Sequence, residues 1–208
     1  DTMPVVHYNY PNNWNSSRKA QLDDTIPMLE FFSDIYGLYP FIDQKYGHAE
    51  FGWGGAMEHQ TVSSMGGYWE SIVAHELAHQ WFGDKITCKD WHNIWLNEGF
   101  ATYSEALWAE HKSGTAAYHQ YMANNAYFGS GSIYVDDLSN DSRIFSGALS
   151  YKKASWVLHM LRHIVGDDQF FRILKEYGDS SRKYGVATTE QFKDICETVS
   201  NRDLDFFF

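Results

Sequence analysis

The chain has 208 residues, 44% of them hydrophobic and 17% aromatic, which is enough to bury a substantial core and too apolar for a disordered tail. Its formal net charge of −11 repels a phosphate backbone, and no Lys/Arg run longer than a pair interrupts that acidity, which argues against nucleic acid as a partner. No apolar stretch reaches the ~18 residues of a membrane span, and Asp1 to Tyr10 lacks the charged-then-apolar order of a signal peptide.

In chain order, Asp1 to Asn15 is rich in Pro, Asn and alternating apolar residues and predicts an extended lead-in. Ser16 or Ser17 can cap a first helix, in which Ile26, Leu29, Phe32 and Tyr36 recur at helical spacing until Gly37 and Pro40 stop it. Glycines and short β-compatible pieces between Ala49 and Val62 predict strands and turns. Helical patterns resume near Tyr68 and dominate thereafter, at 68–82, 96–112, 115–127, 148–165, 167–178 and 188–199. Cys88 and Cys196 are too few and too far apart for a disulfide framework or a metal clip, and read as ordinary thiols. The three phenylalanines at 206–208 make an apolar ending, read as the edge of a segment cut from a longer polypeptide.

The chemistry concentrates in His75-Glu76-Leu77-Ala78-His79, an HExxH pattern. Its helix also carries Trp69, Val73, Ala74, Leu77, Ala78, Trp81 and Phe82, so it is apolar over most of its circumference and ionisable groups there need a reason. At helical spacing His75, Glu76 and His79 fall within an arc of roughly 100°, which sets two imidazoles side by side with a carboxylate at their edge. That is a two-nitrogen metal clamp with an adjacent base. A catalytic zinc needs a third protein ligand, and Glu98 supplies it on a second helix after a loop long enough to turn the chain back. Glu105, seven residues on, shares the face of Glu98 and is placed to orient an imidazole. The other eight histidines, among them His111, His119, His159 and His163, have no partner at ligand spacing and read as packing or surface residues.

HELAH followed by Trp95-Leu96-Asn97-Glu98-Gly99-Phe100-Ala101-Thr102-Tyr103, with an upstream GAME segment and a downstream Tyr-x-Lys, resembles the zinc aminopeptidases typified by alanyl aminopeptidase and leukotriene hydrolase. The resemblance implies an α+β, thermolysin-like catalytic domain across 1–208. A small mixed β-sheet lobe would run to about residue 67, and a mainly helical lobe from about 68. It also implies neighbouring domains of the same polypeptide on both sides, and one zinc ion per chain. Gly55-Ala56-Met57-Glu58 matches the family's exopeptidase motif, with His59 where the family has Asn. By resemblance Glu58 grips the substrate's free α-amine while Gly55, Ala56 and Met57 pair with the peptide backbone. Tyr151, in Tyr151-Lys152-Lys153-Ala154-Ser155, corresponds to the tyrosine that donates to the tetrahedral intermediate. Its pattern alone also suits a core tyrosine, because it extends the stripe of Ala154, Val157, Leu158 and Leu161.

These residues predict hydrolysis of the N-terminal residue from peptides that carry a free amine, with Glu76 as general base. The alternatives are a thermolysin-like endopeptidase, then a leukotriene-type epoxide hydrolase, then a binding homologue that has lost catalysis.

Overall fold

The computed structural model describes residues 2–208, so the first residue of the predicted lead-in, Asp1, lies outside the described residues. The lead-in forms β1 (Val5–Tyr8). Asn15, rather than Ser16 or Ser17, then caps α1 (Ser16–Asp23), its side-chain oxygen accepting the Arg18 N–H at 3.0 Å. The single predicted helix is two, because α2 (Thr25–Tyr36) starts afresh after Asp24. Pro27 explains the break: it has no N–H for the Asp23 carbonyl, and its ring crowds that oxygen.

The helices α1 and α2 form the crossover that lets β2 (Tyr46–Glu50) lie parallel to β1. With β3 (Ala56–Met57) and β4 (Ser63–Met65) they make one mixed sheet in the order β1-β2-β4-β3. β2 and β4 are parallel, β3 is antiparallel to β4, and β3 occupies the edge of the sheet.

The helical part begins at α3 (Glu70–Ala78), whose Val73, Ala74, Leu77 and Ala78 are fully buried. This helix starts two residues later and ends four earlier than the pattern predicts. His79 is its C-cap, still in helical conformation, and Gln80, Trp81 and Phe82 continue in tighter turns bonded to Leu77 and Ala78. Gly83, at φ 148°, then turns the chain toward β5 (Ile86–Cys88). β5 pairs in parallel with β6 (Gly185–Ala187), a two-stranded sheet built from segments too short to carry a pattern. α4 (Trp95–Ser113) packs against α3, and α5 (Thr115–Asn124) ends three residues before its prediction. A short α6 (Asp141–Ile144), absent from the sequence reading, precedes a π-helical turn, Gly147–Lys153, that runs into α7 (Ala154–Val165). α8 (Asp167–Asp179) and α9 (Thr189–Ser200) complete the helical part, the latter held at its start by a capping box of Thr188 and Gln191.

The core is aromatic. Trp81 meets Phe32, Tyr36 and Tyr39 edge-on, and Phe82, Phe100, Tyr177 and Phe192 form a second knot between the turns that follow α3 and the helices α4, α8 and α9. Burying a phenylalanine fully is worth about 1.5–3 kcal/mol, so these knots help fix the mutual placement of α3 and α4, which carry His75, Glu76, Glu98 and Glu105. Gly99 sets a second fixed distance. A methyl group there would lie 2.6 Å from the Ala154 Cβ, so its missing side chain is what lets α7 reach α4 beside Glu98. Cys88 and Cys196 are free and buried, and no helix among the described residues is long and apolar enough to cross a membrane.

Candidate metal centre and peptide cleft

α3 and α4 present His75, His79 and Glu98 to one point. The Glu98 Oε2 lies 3.3 Å from the Nε2 of His75 and 3.3 Å from the Nε2 of His79. The far nitrogens settle the tautomers. The Nδ1 of His75 faces Glu105 Oε1 at 2.9 Å, and the Nδ1 of His79 faces the Phe82 carbonyl at 3.0 Å. Both partners are acceptors, so each Nδ1 carries a hydrogen and each Nε2 is the nitrogen that faces the Glu98 oxygen, with a lone pair when the ring is neutral. Without a metal this arrangement is satisfied by protons on the imidazoles; with one, the two Nε2 atoms and the carboxylate oxygen are its donors. A tetrahedral zinc with ligands at about 2.0–2.2 Å has donor-to-donor edges of about 3.3–3.6 Å; the two nitrogen-to-oxygen edges, each 3.3 Å, match, and all three donor atoms lie within 4.8 Å of one another.

The electrostatics agree. Burial works to lower the His79 pKa, yet the Glu98 carboxylate overrides it and lifts His79 to about 9. His75 is likewise raised well above its ordinary value, burial opposing and Glu105 and Glu98 prevailing. Glu98 is held well below the usual carboxylate range, because the two imidazoles outweigh the cost of burial. A field that draws protons onto buried imidazoles is one in which a divalent metal displaces them.

The trio sits at the base of a cleft of about 1150 Å³ lined by Ala56, Met57, Glu58, Glu76, Glu105 and Tyr151 among others. Glu76 is 5% exposed, its Oε2 is buried without a partner, and burial raises its carboxyl to about 7 against the lowering by His75 and His79. Glu58, Glu76 and His79 each offer an atom within 4.8 Å of the others, so the edge strand β3 delivers Glu58 beside Glu76. Gly55 is not among the cleft-lining residues; with φ 87° it makes the turn into β3, its carbonyl accepting the Gly66 N–H at 2.8 Å. His59 closes the motif by pairing its Nδ1 with Ser64 Oγ at 2.9 Å.

Tyr151 is brought to the cleft and not to the core. The π-helical turn winds more than a normal helix per turn, which takes Tyr151 off the stripe of Ala154, Leu158 and Leu161 and lays its ring parallel to His75 at 6.0 Å. Burial first and Glu98 second push its phenol pKa up, so it stays a proton donor.

Sequence reasoning missed the cleft's apolar wall. Trp69, Ile72, Trp91, Ile94, Leu138 and Phe145 come from loops and helix edges without a shared periodicity, so no pattern links them. It also passed over Gln80, whose position between His79 and Trp81 on an apolar segment was itself a signal, since a buried amide must find four partners. Among the described residues, the remaining histidines enter no group of metal-like donors; His111 stacks on Phe31 and His159 pairs with Tyr118.

A mixed sheet beside helices that carry an HExxH pair and a distant glutamate defines a metallopeptidase-type catalytic fold. Residues 56–208 match the Peptidase family M1 domain, and the chain belongs to that family. It is 34% identical to aminopeptidase N of Lactobacillus delbrueckii subsp. lactis over 145 residues, covering 64% of this chain and 17% of that protein. It is 28% identical over 245 residues to endoplasmic reticulum aminopeptidase 1 of Mus musculus, covering 99% of this chain and 25% of that one. Among solved structures it is similar to an M1 zinc metallopeptidase mutant from Deinococcus radiodurans bound to a Tyr-Ser-Ala substrate. That match has TM-score 0.77 and 29% identity, and covers 95% of this chain and 46% of that one. The chain thus spans a quarter or less of the length of these curated relatives.

Proposed function

We propose that this chain is one thermolysin-like catalytic domain of a zinc aminopeptidase, with His75, His79 and Glu98 holding a single zinc ion. The observation that carries the reading is the convergence of the two Nε2 atoms on Glu98 Oε2, each at 3.3 Å. The names of the relatives support it, being zinc metallopeptidases and aminopeptidases.

When bound, zinc supplies Lewis acidity, making a water more acidic and a peptide carbonyl more electrophilic. The chain's own residues do the rest. Glu76, its Oε2 free of other partners, accepts the proton of the attacking water as oxygen adds to the carbonyl carbon. The same carboxyl then delivers that proton to the amine nitrogen as the C–N bond breaks. The Tyr151 hydroxyl donates a hydrogen bond to the oxygen on which negative charge develops. Glu105 holds His75 in the tautomer and orientation that ligation needs.

Glu58 sets the register. Two carboxylates within 4.8 Å make a place that favours a cation, and the substrate's ammonium is the cation a peptide brings. β3, at the sheet edge, has a free side along which a peptide backbone can add as a further strand through Ala56 and Met57, with Gly55 turning the chain into it. Partners are accordingly peptides with a free N-terminus, together with the further domains of the polypeptide that the relatives' greater lengths suggest.

The test compares leucine amide with N-acetyl-leucine amide on the zinc-loaded protein, both as this chain and extended at both ends. A charge-assisted contact to Glu58 is worth about 1.5–3 kcal/mol, so acetylation should cost at least about tenfold in kcat/KM. Equal cleavage of both amides by the extended protein would replace this reading with the endopeptidase one.

A further inference from the structure

Gln80 follows the second histidine of the metal-binding pattern and is fully buried. Its amide meets four partners, one of them the Tyr39 hydroxyl, whose single hydrogen is shared with the Lys45 carbonyl at 3.1 Å. Its Nε2 donates to the Glu58 carbonyl at 3.2 Å and to Asp84 Oδ2 at 2.8 Å. Its Oε1 accepts the Thr61 N–H at 2.8 Å and the Tyr39 hydroxyl at 3.2 Å. One side chain on the metal-bearing segment therefore bonds the backbone on both sides of the chain's turn from Glu58 to Thr61.

Two other hydrogen bonds hold that turn, the Val62 N–H to the His59 carbonyl at 3.1 Å and His59 Nδ1 with Ser64 Oγ at 2.9 Å, and neither bonds the backbone of Glu58 or Thr61. β3 is a two-residue edge strand, its last paired residue is Met57, and Gln60 is exposed. Thr61 sits at φ 67°, a left-handed conformation unfavourable for a β-branched residue, which persists only where surrounding bonds enforce it. The bond from Thr61 N–H to Gln80 is such a bond. Glu58, by contrast, has its carbonyl tied to Gln80 while its carboxylate stays free to face the cleft.

We propose that Gln80 is a positioning residue that fixes the distance from the amine-binding carboxylate of Glu58 to the metal ligand His79, and so sets how strongly a free α-amine is preferred. This rests on the reading of Glu58 as the amine's partner. A carboxylate displaced by about 1 Å loses up to about a hundredfold of a positioning effect, whereas His75 and His79 keep their own partners in Glu105 and the Phe82 carbonyl, and with them the metal.

The test measures binding of leucine hydroxamate and N-acetyl-leucine hydroxamate to the zinc-loaded protein by titration calorimetry, with zinc content determined on each sample. Gln80→Met removes all four bonds, and Gln80→Glu keeps the acceptor for Thr61 and Tyr39 while deleting the donors to Glu58 and Asp84. Both should retain zinc, and both should reduce the free-over-acetylated affinity ratio about tenfold, toward that of Glu58→Ala. A zinc-loaded Gln80 variant with the parent ratio overturns the proposal, provided Glu58→Ala does lose it. If Glu58→Ala keeps the parent ratio, the aminopeptidase reading itself fails. Amide exchange at Thr61 in the unsubstituted protein gives an answer that needs no variant to fold: strong protection supports the bond to Gln80, and exchange at the rate of an open loop overturns the proposal.

Discussion

The Nδ1 of His75 lies 2.9 Å from the Oε1 of Glu105, a carboxylate seven residues beyond Glu98 on the same helix. A single face of α4 thus supplies both a donor to the proposed metal and the group that orients another donor. Outer partners of this kind commonly account for about 10- to 100-fold in metal affinity, and Glu105→Ala should weaken zinc binding by that amount in chelator competition. Glu105→Gln should lose less, because an amide oxygen still accepts the His75 N–H. Equal zinc affinity in the parent and Glu105→Ala would remove Glu105 from this role.

Glu76→Gln should keep zinc and lose turnover. The amide matches the carboxylate in shape but cannot take the water's proton, and removing a general base costs about 10²- to 10⁴-fold in kcat. Zinc content measured beside the rate separates the roles, since loss of metal in this variant would make Glu76 a ligand rather than a base.

Gly99 of α4 lies against Ala154 of α7 with no room for a side chain, and Tyr151 stands about one turn before that contact. Gly99→Ala improves helix propensity by about 1 kcal/mol but drives a methyl into the Ala154 Cβ at 2.6 Å, an overpacking that costs about 1–3 kcal/mol. The clash should win. The expected outcome is a lower denaturation midpoint and a reduced kcat with zinc retained, as the turn bearing Tyr151 is pushed outward. Ala154→Gly in the same chain should restore both; failure to do so would mean that the contact does not set the position of Tyr151.

The proportion of this architecture that can be read from the sequence follows from how local each signal is. The helices α4, α8 and α9 carry long periodic stripes, and their predicted ranges differ from the observed ones by at most a residue at each end, whereas α7 begins at Ala154 rather than 148 because Gly147–Lys153 forms the π-helical turn. The gathering of His75, His79, Glu98 and Glu105 was legible because each pair is fixed by helical geometry within one element. The break at Asp24 was legible in principle, since Pro27 announces it, but the apolar spacing across it masked the stop. β5 and β6 pair across almost a hundred residues with three residues each, and the cleft's apolar wall draws on segments scattered from Trp69 to Phe145. Such features depend on tertiary placement alone. Tyr151 lies between these cases, because the stripe that suggested a core tyrosine is real but the π-helical turn shifts its phase.

A further prediction concerns pH and lies away from the metal site, where β1 and β2 pair His7 with His48. The two rings stack at 5.0 Å with their Nδ1 atoms 3.0 Å apart, so one nitrogen donates and the other accepts, and the pair has no room for two cations. His48 is fully buried, and desolvation first and His7 second push its pKa down to about 3. In the unfolded chain it titrates near 6.5. Its folded value is the lower one, so its neutral form is favoured by folding. The stability it supports is complete above pH 6.5 and is lost as pH falls from 6.5 toward 3, where the unfolded chain binds a proton that the folded chain refuses. Between pH 7 and pH 5 that loss amounts to about 2 kcal/mol. His48→Gln does not titrate and should flatten this part of the curve. The measurement is the urea unfolding free energy of both proteins at pH 7 and pH 5, with metal content matched at each pH. Taking the difference between proteins removes the contribution of the metal ligands, which is common to both. An identical drop in the two proteins would mean that His48 is protonated as readily in the fold as outside it, and that the neutral buried pair is the wrong description of the β1–β2 contact.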